Sequence, residues 1–284
     1  MKLTVLILMS SSLFLLGLTF AQKEEFDFSH QALYEINYLS DKSDPTSMKQ
    51  QWAELLLGEE KSLFRSMKKA QSDSAYMAYV KNKVINMSAP SVKPIGEINS
   101  FNYQIIKDYS SGMVKVYDEY SGGSLNQINA ISFYEEASDG MSNWVLKNDT
   151  MRIHGYVCQR ADIEFAGRKW TAWFSSEAPL KSDGPYKFNG LPGLIFKVYD
   201  EEKSWDFELK SLSKKDTSLA INFKEGLTFS KIKKEKLFQD RRKFQKNIIE
   251  INETNGANYG DSRNQIKSSL ESHILKDNNW IEEK

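Results

Sequence analysis

Apolar and polar residues alternate along much of the chain, and this alternation predicts a sheet. The clearest strand covers residues 157–165, where apolar residues occupy one face and charged residues the other. A short loop around Gly167 leads into a return strand that places Trp170 on its apolar face and Trp173 on the opposite face. Because a strand with one apolar face is half-buried, this hairpin indicates an antiparallel sheet.

The same alternation predicts further short strands, separated by turn residues. They lie at residues 31–40, 101–105, 114–116, 131–133, 144–146, 194–199, 205–210 and 219–223. Residues 52–57 and 62–64 predict a hairpin around Gly58, although a helix over 48–67 is an alternative. Short strands joined by tight turns are typical of an antiparallel meander. We therefore expect a mainly β (α+β) fold, in which a curved meander sheet or open half-barrel is packed by helices.

Helical spacing of apolar residues appears in three places. Residues 66–84 predict a helix that ends before Pro90. Residues 231–246 predict a basic amphipathic helix, with one face on the sheet and the other in solvent; an anionic membrane surface or an acidic partner is the alternative. Residues 252–260 read as a linker. A short terminal helix follows, with Ser262 and Gln265 as a candidate capping box.

The N-terminus has the three parts of a secretory signal. A basic start precedes an apolar stretch over residues 3–18, and small residues at 19 and 21 precede Gln22. The apolar stretch is short for a membrane span. We expect cleavage after residue 21, a single β-rich domain over 22–251, and a linker with a short helix over 252–284. The mature protein would then carry no membrane span and be periplasmic or associated with the outer envelope.

Composition narrows the function without naming a reaction. Lys and Arg number 38, and Asp and Glu also number 38. A nucleic-acid-binding protein needs a net basic surface, so that class is not expected. One Cys and three His provide neither a disulfide framework nor a zinc site. No nucleotide-binding or hydrolase motif is present, so no cofactor is expected.

The lone cysteine, Cys158, lies on the clearest strand. The simplest interpretation is a buried free thiol; an intermolecular disulfide or a reactive thiol remains an alternative. His154 lies four residues earlier on the same expected strand. At the usual rise the two side chains would stand about 13 Å apart, so direct activation of the thiol is not expected.

The most distinctive segment covers residues 184–195 and is rich in glycine and proline. It suggests a shaped turn that leads into a strand. Either the turn is a buried corner that sets the strand register, or its backbone is a surface for a ligand or partner strand. The candidate binding residues are Trp170, Trp173, Gly184, Pro185, Gly190, Leu191, Pro192, Gly193, Leu194 and Ile195.

Residues 190–195 spell Gly-Leu-Pro-Gly-Leu-Ile, and with the surrounding residues 150–212 they resemble the core of the GLPGLI family. The resemblance implies a β-rich exported protein of Gram-negative bacteria and supplies no catalytic residues. By analogy of fold alone, the expected sheet is similar to the half-barrels of periplasmic lipoprotein carriers. We expect a non-enzymatic envelope protein that binds an apolar ligand or an envelope partner. The alternatives are an envelope enzyme whose site is not recognisable, or a structural interaction module.

Overall fold

The computed structural model describes residues 24–71, 73–74, 103–118, 130–178, 180, 182–221, 228–254 and 256–282. The expected leader over residues 1–21 lies outside these ranges. Of the helix expected over 66–84, residues 67–71 and 73–74 are described and helical. Residues 75–84 lie outside the described part.

Twelve strands of the described chain form one open sheet, which confirms the mainly β class. The strands are β1 (Glu24–Leu39), β2 (Met48–Leu57), β3 (Lys61–Ser66), β4 (Tyr103–Asp108), β5 (Met113–Asp118), β6 (Ala130–Ala137), β7 (Val145–Ile153), β8 (Tyr156–Phe165), β9 (Arg168–Ser175), β10 (Leu194–Asp200), β11 (Trp205–Ile221) and β12 (Thr228–Lys231). Their order across the sheet is β12-β6-β5-β4-β3-β2-β1-β11-β10-β9-β8-β7. Neighbours pair antiparallel except β12, which pairs parallel to β6. Two meanders, β1–β6 and β7–β11, therefore meet where β1 pairs with β11.

The connection between β6 and β7 requires the sheet to be strongly curved. These two strands lie ten strand positions apart, which is about 48 Å in a flat sheet. Residues 138–144 join them, and even fully extended this link reaches at most about 29 Å. Part of the link is a 3-10 turn, Ser138–Ser142, which shortens it further and contacts β8. The sheet therefore bends around the link, and its inner face is the side that the link crosses.

Burial differs between the two halves of the sheet. In β2–β6 both faces are buried: Leu55 and Phe64 belong to the inner cluster, whereas Leu56 and Leu63 belong to a second apolar cluster on the outer face. In β8, β9 and β11 the inner side chains are buried and the outer ones are partly or fully exposed. A strand buried on both faces has a continuous apolar sequence, which explains why Leu55–Leu57 also allowed a helical interpretation.

The clearest sequence predictions are confirmed. β2 and β3 form the hairpin around Gly58, so the alternative helix over 48–67 is wrong. β8 and β9 form a second hairpin with a tight turn at Ala166 and Gly167, whose φ angles are 53° and 84°. Two consecutive positive φ angles match the twist of the flanking strands.

Other boundaries differ from the sequence prediction. β1 begins at Glu24 rather than residue 31, because its first residues pair with the far end of β11. The prediction of a separate strand over 219–223 was wrong, because β11 runs unbroken for 17 residues to Ile221. The alternation breaks within β11 because register shifts in the β1–β11 pair move side chains from one face to the other.

Three α-helices follow the last strand: α1 (Lys234–Lys246), α2 (Ile248–Thr254) and α3 (Arg263–Lys276). α1 is the predicted basic helix; Leu237 joins the inner cluster, and Arg241 and Gln245 are also buried. The linker predicted from residue 252 is instead helical to Thr254. Ser262 precedes α3 without a side-chain cap, so the predicted capping box does not form. No helix in the described ranges is both long and apolar enough to cross a bilayer.

Candidate functional site

The signature segment, residues 190–195, packs inside the curved sheet. Leu191, Leu194 and Ile195 are buried, while Gly190 and Pro192 are exposed. Gly184 and Pro185, just upstream, are also buried. The tight turn is closed by a hydrogen bond from the Gly193 N–H to the Leu191 carbonyl at 2.8 Å. Most of the predicted binding residues therefore form a corner of the core.

Two glycines make this corner possible. Gly193 has φ 147°, and a β-carbon there would stand 2.1 Å from the Ser175 carbonyl oxygen. Gly190 has φ 82°, and a β-carbon there would stand 2.4 Å from the Met141 carbonyl oxygen in the β6–β7 link. A side chain at either position would push two backbone segments apart. The corner thus joins the link to the end of β9.

A buried ion pair holds the corner against the sheet. Asp183 pairs with Lys107 of β4 and accepts hydrogen bonds from the Tyr109 hydroxyl at 2.7 Å and the Gly184 N–H at 2.6 Å. Lys107 also donates to the Gly184 carbonyl at 2.6 Å. Burial lowers the pKa of Lys107, and the charge of Asp183 opposes this effect. These groups are satisfied by one another, which indicates a structural role.

The two candidate tryptophans lie on opposite faces. Trp170 is buried against Phe188, with ring centroids 4.8 Å apart, and its indole N–H donates to the Phe165 carbonyl at 3.1 Å. Trp173 is half-buried on the outer face, opposite Arg160 of β8. The structure therefore buries Trp170 with the corner, whereas Trp173 is only partly buried and packs against the edge of the same inner cluster.

The part of the inner face beneath residues 277–282 has little free space. Its largest side chains are covered by the corner, by α1 and by residues 277–282, and the cavity left between them measures about 40 Å³. A single water takes about 30 Å³ of liquid volume, whereas pockets for drug-sized ligands measure about 300–1,000 Å³. The space between the sheet and residues 277–282 is thus too small for a lipid chain.

The outer face of β8–β11 carries a charged network instead. Lys197 lies 3.2 Å from Asp206 and 2.6 Å from Glu208. Arg160 donates to both carboxylate oxygens of Asp162 at 2.9 and 3.0 Å. Because these strands are adjacent, the charges form rows across the sheet.

The pKa values of the two carboxylates on β11, Asp206 and Glu208, are shifted in opposite directions. Burial raises the pKa of Asp206, and the charge of Lys197 opposes this effect. Burial also acts to raise the pKa of Glu208, but hydrogen bonds from Lys197 and Lys210 outweigh it and the pKa is lowered. Acid–base sites use pairs of carboxylates with different pKa values, but structural ion-pair networks contain such pairs too. Since Lys197 bridges both groups, this pair fits a network that stabilises the sheet.

A groove opens beside this network, where β8 runs past the start of β7. Its volume is about 740 Å³, within the range of ligand sites. Side chains of both charges and a tyrosine line it, among them Lys147, Arg160, Asp162, Glu164, Lys169 and Tyr199. The groove can therefore accept polar groups of either charge.

Exposed apolar side chains gather along β7, which ends the described sheet. Of seven large apolar side chains exposed in the described residues, four lie on β7 or at the start of β8: Val145, Leu146, Met151 and Val157. Val145 also lines the groove. We call these four residues the β7 edge. The sequence gives no signal for this site, because a strand's place in a sheet depends on long-range pairing.

The cysteine and histidine do not form a reactive pair. β7 ends at Ile153, and His154 occupies the turn with φ 51°, so the expectation that His154 and Cys158 share a strand was wrong. Its imidazole Nε2 lies 2.6 Å from the Leu209 carbonyl oxygen. Cys158 is a buried free thiol, and burial raises its pKa to about 11. In the described ranges, no three His, Cys, Asp or Glu side chains are placed to hold a metal ion.

Comparison with known proteins gives a likeness of fold. No protein-family model and no curated protein matches the chain. Two solved structures of PNGF-II, in two crystal forms, are similar to it at 14% identity with TM-scores of 0.48 and 0.50. The matches cover 75% and 77% of this chain but 34% and 33% of PNGF-II. This chain thus spans about a third of those chains, and the likeness shows a β-rich fold alone.

Proposed function

We propose that this protein is a non-enzymatic accessory protein of the cell envelope that binds a partner polypeptide along the β7 edge. The observation that carries the proposal is the exposure of Val145, Leu146 and Met151 on β7, the end strand of the described sheet, and of Val157 at the start of the neighbouring β8. The four side chains lie on both faces of this edge, since Leu146 and Met151 pair with inner-face residues of β8 and Val145 pairs with the outward-facing Asp162. Exposed apolar side chains rimmed by polar ones are typical of interaction sites.

The contents of the inner face favour a partner polypeptide over an apolar ligand. A carrier of lipid needs an apolar cavity, and the space between the sheet and residues 277–282 measures only about 40 Å³. The chain's own corner and α1 occupy the place that a ligand would take. Binding on the outside of the sheet requires no such space.

An end strand provides backbone groups for a partner as well as apolar side chains. An extended peptide that adds to a sheet edge gains main-chain hydrogen bonds, and pockets beside the edge select its side chains. The register of β7 with β8 is regular over residues 150–153 and shifts between Leu146 and Thr150. We expect the partner strand to pair along 150–153 and its polar side chains to reach the neighbouring groove.

The envelope location in this proposal is supported by the predicted leader and by the resemblance to the GLPGLI family. An exported protein meets its partner outside the cytoplasm, where a stable accessory domain with an open strand edge can act. Fractionation and N-terminal sequencing test this part, and a mature chain that retains Met1 in the cytoplasm would contradict it.

Site-specific photocrosslinking tests the proposed surface. A benzoyl-phenylalanine at position 146 or 151 should give a defined adduct in intact cells. The same group at Leu275, which is 78% exposed on α3, is the matched control and should not. Leu146→Lys and Met151→Lys together should remove the adduct formed from position 145. Equal labelling from position 275, or labelling unaffected by the two lysines, would overturn the proposal.

A further inference from the structure

Residues 277–282 form an extended segment that leaves α3 and returns to the inner face of the sheet; we call it the returning segment. Asn279, Ile281 and Glu282 are buried and Trp280 is half-buried, although the segment belongs to no helix or strand. The amides of Asn278 and Asn279 both donate to the Ser40 carbonyl. The segment is therefore held through its main chain as well as its side chains, in the manner of a bound peptide.

Its carboxylate occupies a cationic pocket. The Glu282 side chain is 1% exposed and pairs with Lys187 of the corner and with Lys234 of α1. The Tyr186 hydroxyl donates to the same carboxylate. Three separate donors from two elements thus converge on one acidic group. Such charge-assisted contacts are the strong ones in recognition.

Its tryptophan occupies a second pocket. The Arg242 guanidinium lies 4.6 Å from the Trp280 ring centroid, and the Phe238 ring lies 5.6 Å away in an edge-to-face arrangement. Arg168 of β9 fixes the backbone beside it, donating to the Trp280 carbonyl at 2.7 Å and to the Asn279 side-chain oxygen at 2.5 Å. Different groups of the protein therefore contact the aromatic side chain and the carboxylate two residues later.

The fit of the returning segment is incomplete. The cavity of about 40 Å³ lies between it and the sheet, bordered by Tyr38, Tyr103 and Trp205 on one side and by Trp280 and Ile281 on the other. Well-packed cores have few voids larger than a water molecule. A bound segment that leaves such a void can be replaced by one with a larger apolar side chain.

We propose that this groove is a peptide-binding site, specific for an aromatic residue followed two positions later by a carboxylate, which the returning segment occupies until a partner displaces it. Charge complementarity supports a partner of this chemistry, since Lys187 and Lys234 both contact the Glu282 carboxylate and share a single other carboxylate, Glu136 of β6. The site is separate from the β7 edge, so it adds a second, regulated contact to the proposed function.

The test measures binding of a fluorescein-labelled peptide of residues 276–284 to the full chain by anisotropy. A full chain with Trp280→Ala and Glu282→Gln should bind it about tenfold or more tightly than the wild-type chain, because its own segment competes poorly. Leu275→Ala is the matched control and should behave as wild type. A peptide with Gln at the position of Glu282 should lose most of the binding. Equal binding by both chains, or no loss with the Gln peptide, would overturn the proposal.

Hydrogen exchange provides a readout on the wild-type chain. The proposal can therefore be tested even if circular dichroism shows that the double variant is unfolded. Excess isotopically heavy peptide should speed exchange in the chain's own residues 278–282 and leave β1 and β11 protected. Unchanged exchange at saturating peptide would contradict displacement. A wild-type dimer by native mass spectrometry, with the segment swapped between copies, would assign the groove to a second copy of this chain and overturn the partner proposal.

Discussion

Gly193 and Ser175 approach so closely that no side chain fits between them. A β-carbon on Gly193 would stand 2.1 Å from the Ser175 carbonyl oxygen and 2.8 Å from the next amide nitrogen. Gly193 directly precedes β10, and Ser175 ends β9. This contact fixes where the signature corner enters the sheet, and it sets the register of Leu194 against Ser175.

Gly193→Ala should therefore destabilise the protein by about 3–5 kcal/mol, because backbone strain at positive φ adds to a displacement of β9. Gly155 is the matched control, since its φ is also positive, at 85°, but no atom lies within 4 Å of the added carbon. Gly155→Ala should cost only about 1–2 kcal/mol. Urea melts of the two variants measure both values. Equal losses would show that the close approach to Ser175 is unimportant.

The leucines of the signature should behave as core residues. Leu191 and Leu194 are 1% and 0% exposed, so Leu191→Ala and Leu194→Ala should each lower the free energy of unfolding by about 2–5 kcal/mol. Leu275→Ala, on the exposed side of α3, should change it by less than about 0.5 kcal/mol. Unfolding curves in denaturant measure the free energy of unfolding of each variant. Losses below 0.5 kcal/mol at the two signature leucines would indicate an exposed recognition loop instead of a corner.

The strands that the sequence predicts best are those with one exposed face. In β8 and β11, Ala161, Phe207 and Leu209 are buried while Asp162 and Glu208 face outward, so the alternation is visible. Where both faces are buried the pattern disappears, as in residues 53–57 of β2. The prediction of where β11 ends was wrong for a related reason, because register shifts break the alternation within one continuous strand.

The candidate sites depend on contacts that are distant in sequence. Asp183 meets Lys107 across 76 positions, and Glu282 meets Lys187 across 95. No local spacing indicates either pair. The β7 edge was equally hidden, since β7 ends the sheet only because β1 pairs with β11 in its middle. The signature itself was visible as a corner, because glycine and proline report backbone geometry directly.

Cys158 should react slowly in the native protein. The thiol is fully buried, and its pKa of about 11 leaves little thiolate at neutral or mildly alkaline pH. Ellman's reagent at pH 8 should label less than one thiol per chain over minutes, and one per chain at once in guanidinium. Rapid native labelling, or a covalent dimer lost on reduction, would instead identify a reactive cysteine.

Glu282 should make stability depend on pH in the acid range. Burial acts to raise the pKa of this carboxyl, but the charges of Lys187 and Lys234 and their hydrogen bonds outweigh it, so the pKa lies below its ordinary value of 4.5.

A carboxyl with a lowered pKa in the folded state contributes stability above about pH 4.5, and this contribution is lost as the pH falls through the folded pKa. At pH 7, Glu282→Gln should lower the free energy of unfolding by about 2–4 kcal/mol, because the buried Lys187 and the half-buried Lys234 lose one of their two carboxylate partners and keep only Glu136. The difference between wild type and variant should then shrink steadily below pH 4.5. Urea melts from pH 3 to 7 measure it. Glu253→Gln is the control, since Glu253 is partly exposed, pairs with Arg263 at the surface and should give a much smaller difference. A constant difference across that range would mean that Glu282 contributes by packing alone, and that the two lysines do not recognise its charge.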